Sequence, residues 1–172
     1  MPYQFNSYTS SKVKSEKRSL LNSIEFSTNE TKATREKALL NQAISFAGNN
    51  GSKLYTIRDT NSVIKGILGF IALSASEVMI DKTKKPVVLI DLLLVNNNYR
   101  SKTYEHLDNS KISRLLLEYA ASQFYEVRKH IGVSYLVLYP DGGKENIDLV
   151  EYYKSMGFSY ATNKHEWMYM KL

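Results

Sequence analysis

The chain has no cysteine among its 172 residues, which removes disulfides, thiolate metal sites and a cysteine nucleophile together. Long apolar runs are also missing. The two longest are interrupted by Lys65 and Asp91 and are too short to span a bilayer, so no membrane partner is expected. The first residues, MPYQFNSYTSSKVKSEK, lack an apolar core and a small-residue cleavage site, so no secretory signal is expected and the cytoplasm is the expected compartment. Three histidines, His106, His130 and His165, show no ligand spacing, and no metal is predicted. There is no low-complexity tract, no repeat of fixed period and no linker, which points to one domain spanning residues 1–172.

What is present is an ordinary globular composition, 43% hydrophobic and 23% charged, with a basic excess. Lys and Arg number 23 against 17 Asp and Glu, a net charge of +6, which favours an anionic partner: a phosphorylated cofactor, a nucleic acid or an acidic protein. The basic residues are dispersed (Lys12, Lys14, Lys17, Arg18; Lys32, Arg35, Lys37; Lys82, Lys84, Lys85) and no aromatic ladder is interleaved with them. A soluble protein that is merely basic explains the same excess.

Periodicity orders the chain. A short strand at YQFNSY precedes a helix from Ser11, whose stripe is Val13, Leu20, Leu21 and Ile24. A second helix begins after Ser27, Thr28 or Asn29 and stops near Gly48. Lys53 to Asp59 alternates as a strand, and Val63 to Ile80 reads as a long strand or a bent pair, with Gly66 and Gly69 marking a bulge or bend. Val87 to Asn96 holds VVLIDLLLV, a run so continuous that it predicts a central strand covered on both faces. A polar loop, Asn96 to Leu107, leads to a helix that opens near Asp108, Asn109 or Ser110 and ends near Gly132. Free N–H groups at a helix start, with Arg100, Lys102 and Lys111 around them, suit a phosphate. Val133 to Tyr139 is another strand, parallel to the central one by a right-handed crossover. Glu145 to Met156 is a short helix with Gly157 after it, and FSYAT and EWMYMKL form a terminal hairpin. The predicted fold is α/β: a mixed central sheet, an antiparallel meander plus one parallel crossover pair, with helices on both faces.

On these elements the sequence from Lys53 onward resembles the GNAT acyltransferase superfamily. IKGILGFIALS is similar to that family's third strand, with Gly69 before Phe70, and LLLVNNNYR to its fourth, with Val95 five positions before Arg100. ENIDLVEYYKSMGF is similar to the motif of an asparagine seven positions before a tyrosine, followed by Lys and then Gly-Phe: Asn146, Tyr153, Lys154, Gly157 and Phe158. The resemblance implies acetyl-CoA as cofactor, its pantetheine arm lying between the central strand and Val133–Tyr139. Backbone groups of Leu93, Leu94 and Val95 would then pair with that arm. Pyrophosphate would be held at the helix start by Ile112, Ser113 and Arg114, with Arg100, Lys102 and Lys111 as cations, and Asn146 would contact the arm. Tyr153 would be the general acid that protonates the leaving sulfur. For the base, Asp91 shares a face with Leu93 and Val95, and Glu77 is a second candidate. Water-mediated deprotonation is an alternative, as is a purely structural role for either acid.

The loop departs from the family. The usual glycines after Arg100 are replaced by Ser101, Lys102, Thr103, Tyr104 and Glu105, and matching from the helix side puts Lys111 and Ser113 at the glycine positions. The two registers differ by about eight residues, from Arg100 to Asp108. Two readings follow: an active enzyme with a remodelled loop, or a GNAT-fold interaction module with weakened cofactor binding. The acceptor is a primary amine of open class, whether small amine, peptide or protein amine, or aminoacyl-tRNA. Two N-terminal helices, LSASEV, KPVVLIDLLLV, IGVSYLVL and WMYMKL also resemble the GNAT-type toxins of toxin–antitoxin pairs, which acetylate aminoacyl-tRNA. A second copy of the chain, as a homodimer, is a further partner this leaves open.

Overall fold

A computed structural model describes residues 1–160 and 166–171. Among the described residues, nine strands and four α-helices follow one another: β1 (Tyr3–Tyr8), α1 (Ser10–Leu21), α2 (Glu30–Gly48), β2 (Lys53–Asp59), β3 (Gly69–Ile80), β4 (Thr83–Val95), β5 (Thr103–Tyr104), β6 (Ser110–Lys111), α3 (Ile112–Arg128), β7 (Tyr135–Leu138), α4 (Ile147–Ser155), β8 (Ser159–Tyr160) and β9 (Met168–Lys171). Seven of the strands form one sheet in the order β1-β2-β3-β4-β7-β9-β8, and β5 pairs with β6 apart from it. The pair β4–β7 is parallel, Val87 to Ile90 against Tyr135 to Leu138, and β1–β2, β2–β3, β7–β9 and β8–β9 are antiparallel. The mixed α/β sheet with one parallel crossover is thus as expected. Of the terminal hairpin, Ala161, Thr162 and Leu172 lie outside the described residues, as does His165 before its second strand.

The chain divides into two compact units, with boundaries inside β3 and β4 and inside α3. The first holds Met1–Leu73 and Leu92–Tyr119. Thr9 caps α1 by accepting from the Lys12 N–H, and Asn29 caps α2 by accepting from the Lys32 N–H. Val13 and Leu20 on α1 meet Leu40, Ala43, Ile44 and Ala47 on α2 in a core shared with Leu54, Phe70, Leu92 and Leu94. The spacing of those α2 positions, four within two turns, is the amphipathic stripe that buries this helix.

Two expectations fail in this unit. Residues before Gly69 are not strand: Asp59 accepts from the Asn61 and Ile64 N–H groups, closing a turn, and Gly66 takes φ +85. Nor does α3 open at Asp108–Ser110. Asp108 and Asn109 adopt left-handed φ of 56 and 53, and Ser110 and Lys111 pair as β6 with Tyr104 and Thr103. Asn and Asp tolerate that conformation as readily as they cap helices, so the same residue types serve a turn here.

The second unit holds Ser74–Asp91 and Ala120–Leu172. Val78, Ile80, Val87 and Val137 form its cluster, with Leu89, Tyr135, Trp167 and Tyr169 packed on it. Asp81 and Lys82, both left-handed, make the turn between β3 and β4. Asn146 caps α4 by accepting from the Leu149 N–H, and Gly157, φ +94, ends it.

Candidate active site

The central strand is not covered on both faces. Val88, Ile90, Leu92 and Leu94 are buried, whereas Leu89, Leu93 and Val95 are only half-buried and Asp91 reaches solvent. An apolar run interrupted only at Asp91 looks alike whether the strand is enclosed or has one open face. β7 stops at Leu138, opposite Ile90, and β4 continues five residues further to Val95. Leu93, Leu94 and Val95 therefore lie beyond the parallel ladder.

Gly69 sits beside this segment. A Cβ there would fall 2.8 Å from the Leu94 carbonyl oxygen and 3.0 Å from Leu116 Cδ1, so only glycine allows β3 to approach β4 and α3 this closely. The glycine before Phe70 is thereby a packing requirement.

In the first unit the predicted phosphate ligands are differently placed. Arg100 donates through Nη1 to Glu36 Oε1 at 2.7 Å and through Nε to the Val95 carbonyl at 2.9 Å, while its Nη2 is buried without a partner among the described residues. Glu36 is buried; burial raises its carboxyl pKa, but Arg100 and the Ser27 N–H more than reverse this and bring it below the ordinary value. Arg100 is thus occupied with α2 and its own strand end. Lys102 donates to the Asn98 carbonyl at 2.8 Å. Lys111 is exposed on β6, Ile112 is buried, Ser113 is half-buried, and Arg114 meets Glu118 one helical turn on, at 2.7 Å. The first turn of α3 contains no acidic residue.

Asn96, which drew no attention in the sequence, ties this region together. Its N–H donates to Leu68 O and its Nδ2 to Ile67 O, and its Oδ1 accepts from the Glu25 and Asn98 N–H groups. The loop that follows is no slack insertion. Leu107 is fully buried, Tyr104 stands edge-on to Tyr99 and His106, and His106 Nε2 lies 3.0 Å from Asp59 Oδ2.

In the second unit, Asp91 has its carboxyl pKa raised by surrounding protein, although water reaches it; a bond from Ser74 partly opposes the rise. Glu77 lies three positions from Ser74 on β3, hence on the other face from Asp91 by the two-residue period. Tyr153 is buried on α4, 7% exposed, and burial, Tyr152 and Asp141 push its phenol pKa well up. The phenol is therefore protonated and available as a donor at neutral pH. Asn146 donates through Nδ2 to the Asp141 carbonyl at 2.9 Å while capping α4, so it holds the helix that carries Tyr153.

No protein-family profile matches the chain, and no curated protein sequence does. Solved structures do. A tyrosine-to-phenylalanine mutant of the AtaT toxin, bound to the C-terminus of the antitoxin AtaR and acetyl-CoA, matches with a TM-score of 0.66 at 13% identity, covering 98% of this chain and 92% of that one. A tyrosine-to-phenylalanine mutant of KacT gives 0.68 at 10% identity, covering 99% and 95%. The GNAT family N-acetyltransferase YhbS from Escherichia coli, in complex with CoA, gives 0.58 at 14% identity, covering 99% and 82%. The chain has the GNAT fold.

Proposed function

We propose that the chain is an acetyl-CoA-dependent N-acetyltransferase, one domain spanning residues 1–172 and working in the cytoplasm on a primary amine. The observation that carries this reading is the parallel pair that ends at Ile90 while β4 runs on to Val95. The fold and the ligands of its structural neighbours, acetyl-CoA in AtaT and CoA in YhbS, support it.

Leu93, Leu94 and Val95 hold the pantetheine arm through main-chain hydrogen bonds. The N–H groups of Ile112, Ser113 and Arg114 take the pyrophosphate, with Lys111 and Lys102 as nearby cations. Bound acetyl-CoA supplies the acetyl group as a thioester. Asp91, whose raised pKa brings it nearer the working range of a base, takes the proton of the attacking amine directly or through water. Tyr153 gives its phenolic proton to the departing sulfur, and Asn146 keeps that tyrosine in place by capping α4.

The acceptor reading favoured by the toxin neighbours and by the net charge of +6 is the amino group of aminoacyl-tRNA. A second reading, a GNAT-fold interaction module, is supported by the engagement of Arg100 with Glu36. Calorimetric titration with acetyl-CoA separates the two. The enzyme reading expects saturable binding below millimolar ligand and loss of acetyl transfer in Tyr153→Phe by roughly 10²–10⁴-fold with binding kept. Absence of binding at millimolar acetyl-CoA would leave the interaction module.

A further inference from the structure

We propose that His106, bonded to the buried carboxylate of Asp59, is a positioning residue for the cofactor: it anchors the β5–β6 hairpin and so holds the first turn of α3, whose N–H groups take the pyrophosphate of acetyl-CoA. The inference rests on the acetyl-transfer reading above. It adds the means by which a loop lacking the usual glycines keeps its anion site in shape.

The hairpin runs into the helix without a spacer. Thr103 pairs with Lys111 and Tyr104 with Ser110, and Ile112, the next residue, begins α3. The chain reverses at Asp108 and Asn109, both at positive φ, and the Asn109 N–H donates to the Tyr104 carbonyl at 3.0 Å. Asp and Asn tolerate this conformation better than other side chains, yet two in succession persist only where contacts from outside the turn hold them.

Those contacts come from the end of β2. Asp59, its last residue, has a side chain shut off from solvent. Its Oδ1 accepts from the Asn61 N–H at 2.8 Å and its Oδ2 from the Ile64 N–H at 2.9 Å. Burial raises its pKa, but these bonds and His106 bring it below the ordinary value, so the carboxyl is ionised at neutral pH. His106 Nε2 lies 3.0 Å from Oδ2, and an ionised carboxylate only accepts, so Nε2 is the donor. The imidazole is 26% exposed, Tyr104 stands edge-on to it, and Leu107 beside it is fully buried.

A bond to a carboxylate that water does not reach is strong and directional. The exposed pairs Lys12–Glu16, Arg114–Glu118, Lys129–Glu126 and Lys154–Glu151 each join residues three or four apart and fix nothing beyond their own turn. His106 and Asp59 instead join segments 47 positions apart. A main-chain anion site needs its backbone in place beforehand, because N–H groups that must be ordered on binding return less affinity. The body of α3 does not depend on the anchor: Ile112 and Leu116 are buried and lie against Gly69. Loss of the bond therefore frees the hairpin and the peptide groups joining it to Ile112, and leaves the helix docked. Leu93 to Val95, assigned to the pantetheine arm, precede the hairpin and keep their place in β4.

Two substitutions separate the bond from the ring. His106→Phe keeps an aromatic ring beside Tyr104 but cannot donate, whereas His106→Gln loses the ring and keeps an N–H donor for Asp59. Full-length protein is titrated by calorimetry with acetyl-CoA and with S-acetylpantetheine, which lacks the pyrophosphate. Affinity for acetyl-CoA should fall roughly tenfold or more in His106→Phe and stay within about threefold of wild type in His106→Gln. His106→Ala, which removes ring and donor together, should bind acetyl-CoA no better than His106→Phe. The response to S-acetylpantetheine should be the same in all four proteins, and cooperative thermal unfolding certifies that each variant is folded. Full affinity for acetyl-CoA in a folded His106→Phe or His106→Ala, an equal loss in His106→Gln, or a parallel loss for S-acetylpantetheine would each overturn the proposal while leaving the acetyl-transfer reading in place. No binding of acetyl-CoA by the wild type would overturn that reading itself.

Discussion

At the scale of single residues, two aspartates show how environment sets opposite behaviour on one type of side chain. Asp59 is covered by its own turn. Burial raises its pKa, but the Ile64 and Asn61 N–H groups and His106 outweigh that and bring it below the ordinary value. Its stabilising effect is complete above the unfolded value, about 3.9, and is lost as pH falls through the lower folded one. The difference in Tm between wild type and Asp59→Asn should therefore be present at about pH 5 and shrink below about pH 4. A difference that vanished already at pH 6 would place the stabilisation on another group. Asp91 moves the other way, with its neutral form favoured by surrounding protein. If it accepts the amine proton, kcat/KM should fall on acidification through a pKa above about 3.9. Asp91→Asn should abolish that limb and lower the rate by roughly 10²–10⁴-fold. An unchanged profile in the variant would leave deprotonation to water.

At the scale of elements, the two N-terminal helices, β2, β4, α4 and the crossover were legible because each carries its own period or its own cap. Val13 with Leu20, and Leu40 with Ala43, Ile44 and Ala47, announce their faces without knowledge of the rest. The stretch between β4 and α3 was not legible, because what holds it is distant in sequence. His106 meets Asp59 across 47 positions, Arg100 meets Glu36 across 64, and the Glu25 N–H meets Asn96 across 71. Strands of two residues, β5 and β6, carry no period at all. For the candidate site, the tyrosine motif and Asp91 stand out in the sequence, but the role of Asn96 does not, since its partners Leu68, Ile67 and Glu25 are all distant from it along the chain. That the insertion is built in rather than appended makes a prediction. Leu107→Ala removes a fully buried side chain and should cost about 2–5 kcal/mol in urea unfolding, as a core leucine does. A cost below about 0.5 kcal/mol would mark the hairpin as a surface addition.

At the scale of the whole molecule, the positive charge is spread rather than focused. Lys12, Lys14, Lys17 and Arg18 are exposed on α1 in one unit, and Lys82, Lys84 and Lys171 are exposed in the other. Exposed cations attract a polyanion through many weak contacts, each releasing a counterion. A small amine acceptor, which carries no array of phosphates, gains nothing from that field. The two acceptor classes therefore differ in salt dependence even where both react. With aminoacyl-tRNA, KM should rise on the order of tenfold or more between 50 and 200 mM KCl. With a small amine such as 2-phenylethylamine it should change by about twofold or less over the same range, since screening of a single charge is modest. Equal, shallow dependence for both would show that the basic surface does not engage the acceptor, and the charge excess would then belong to another partner, such as an acidic protein segment.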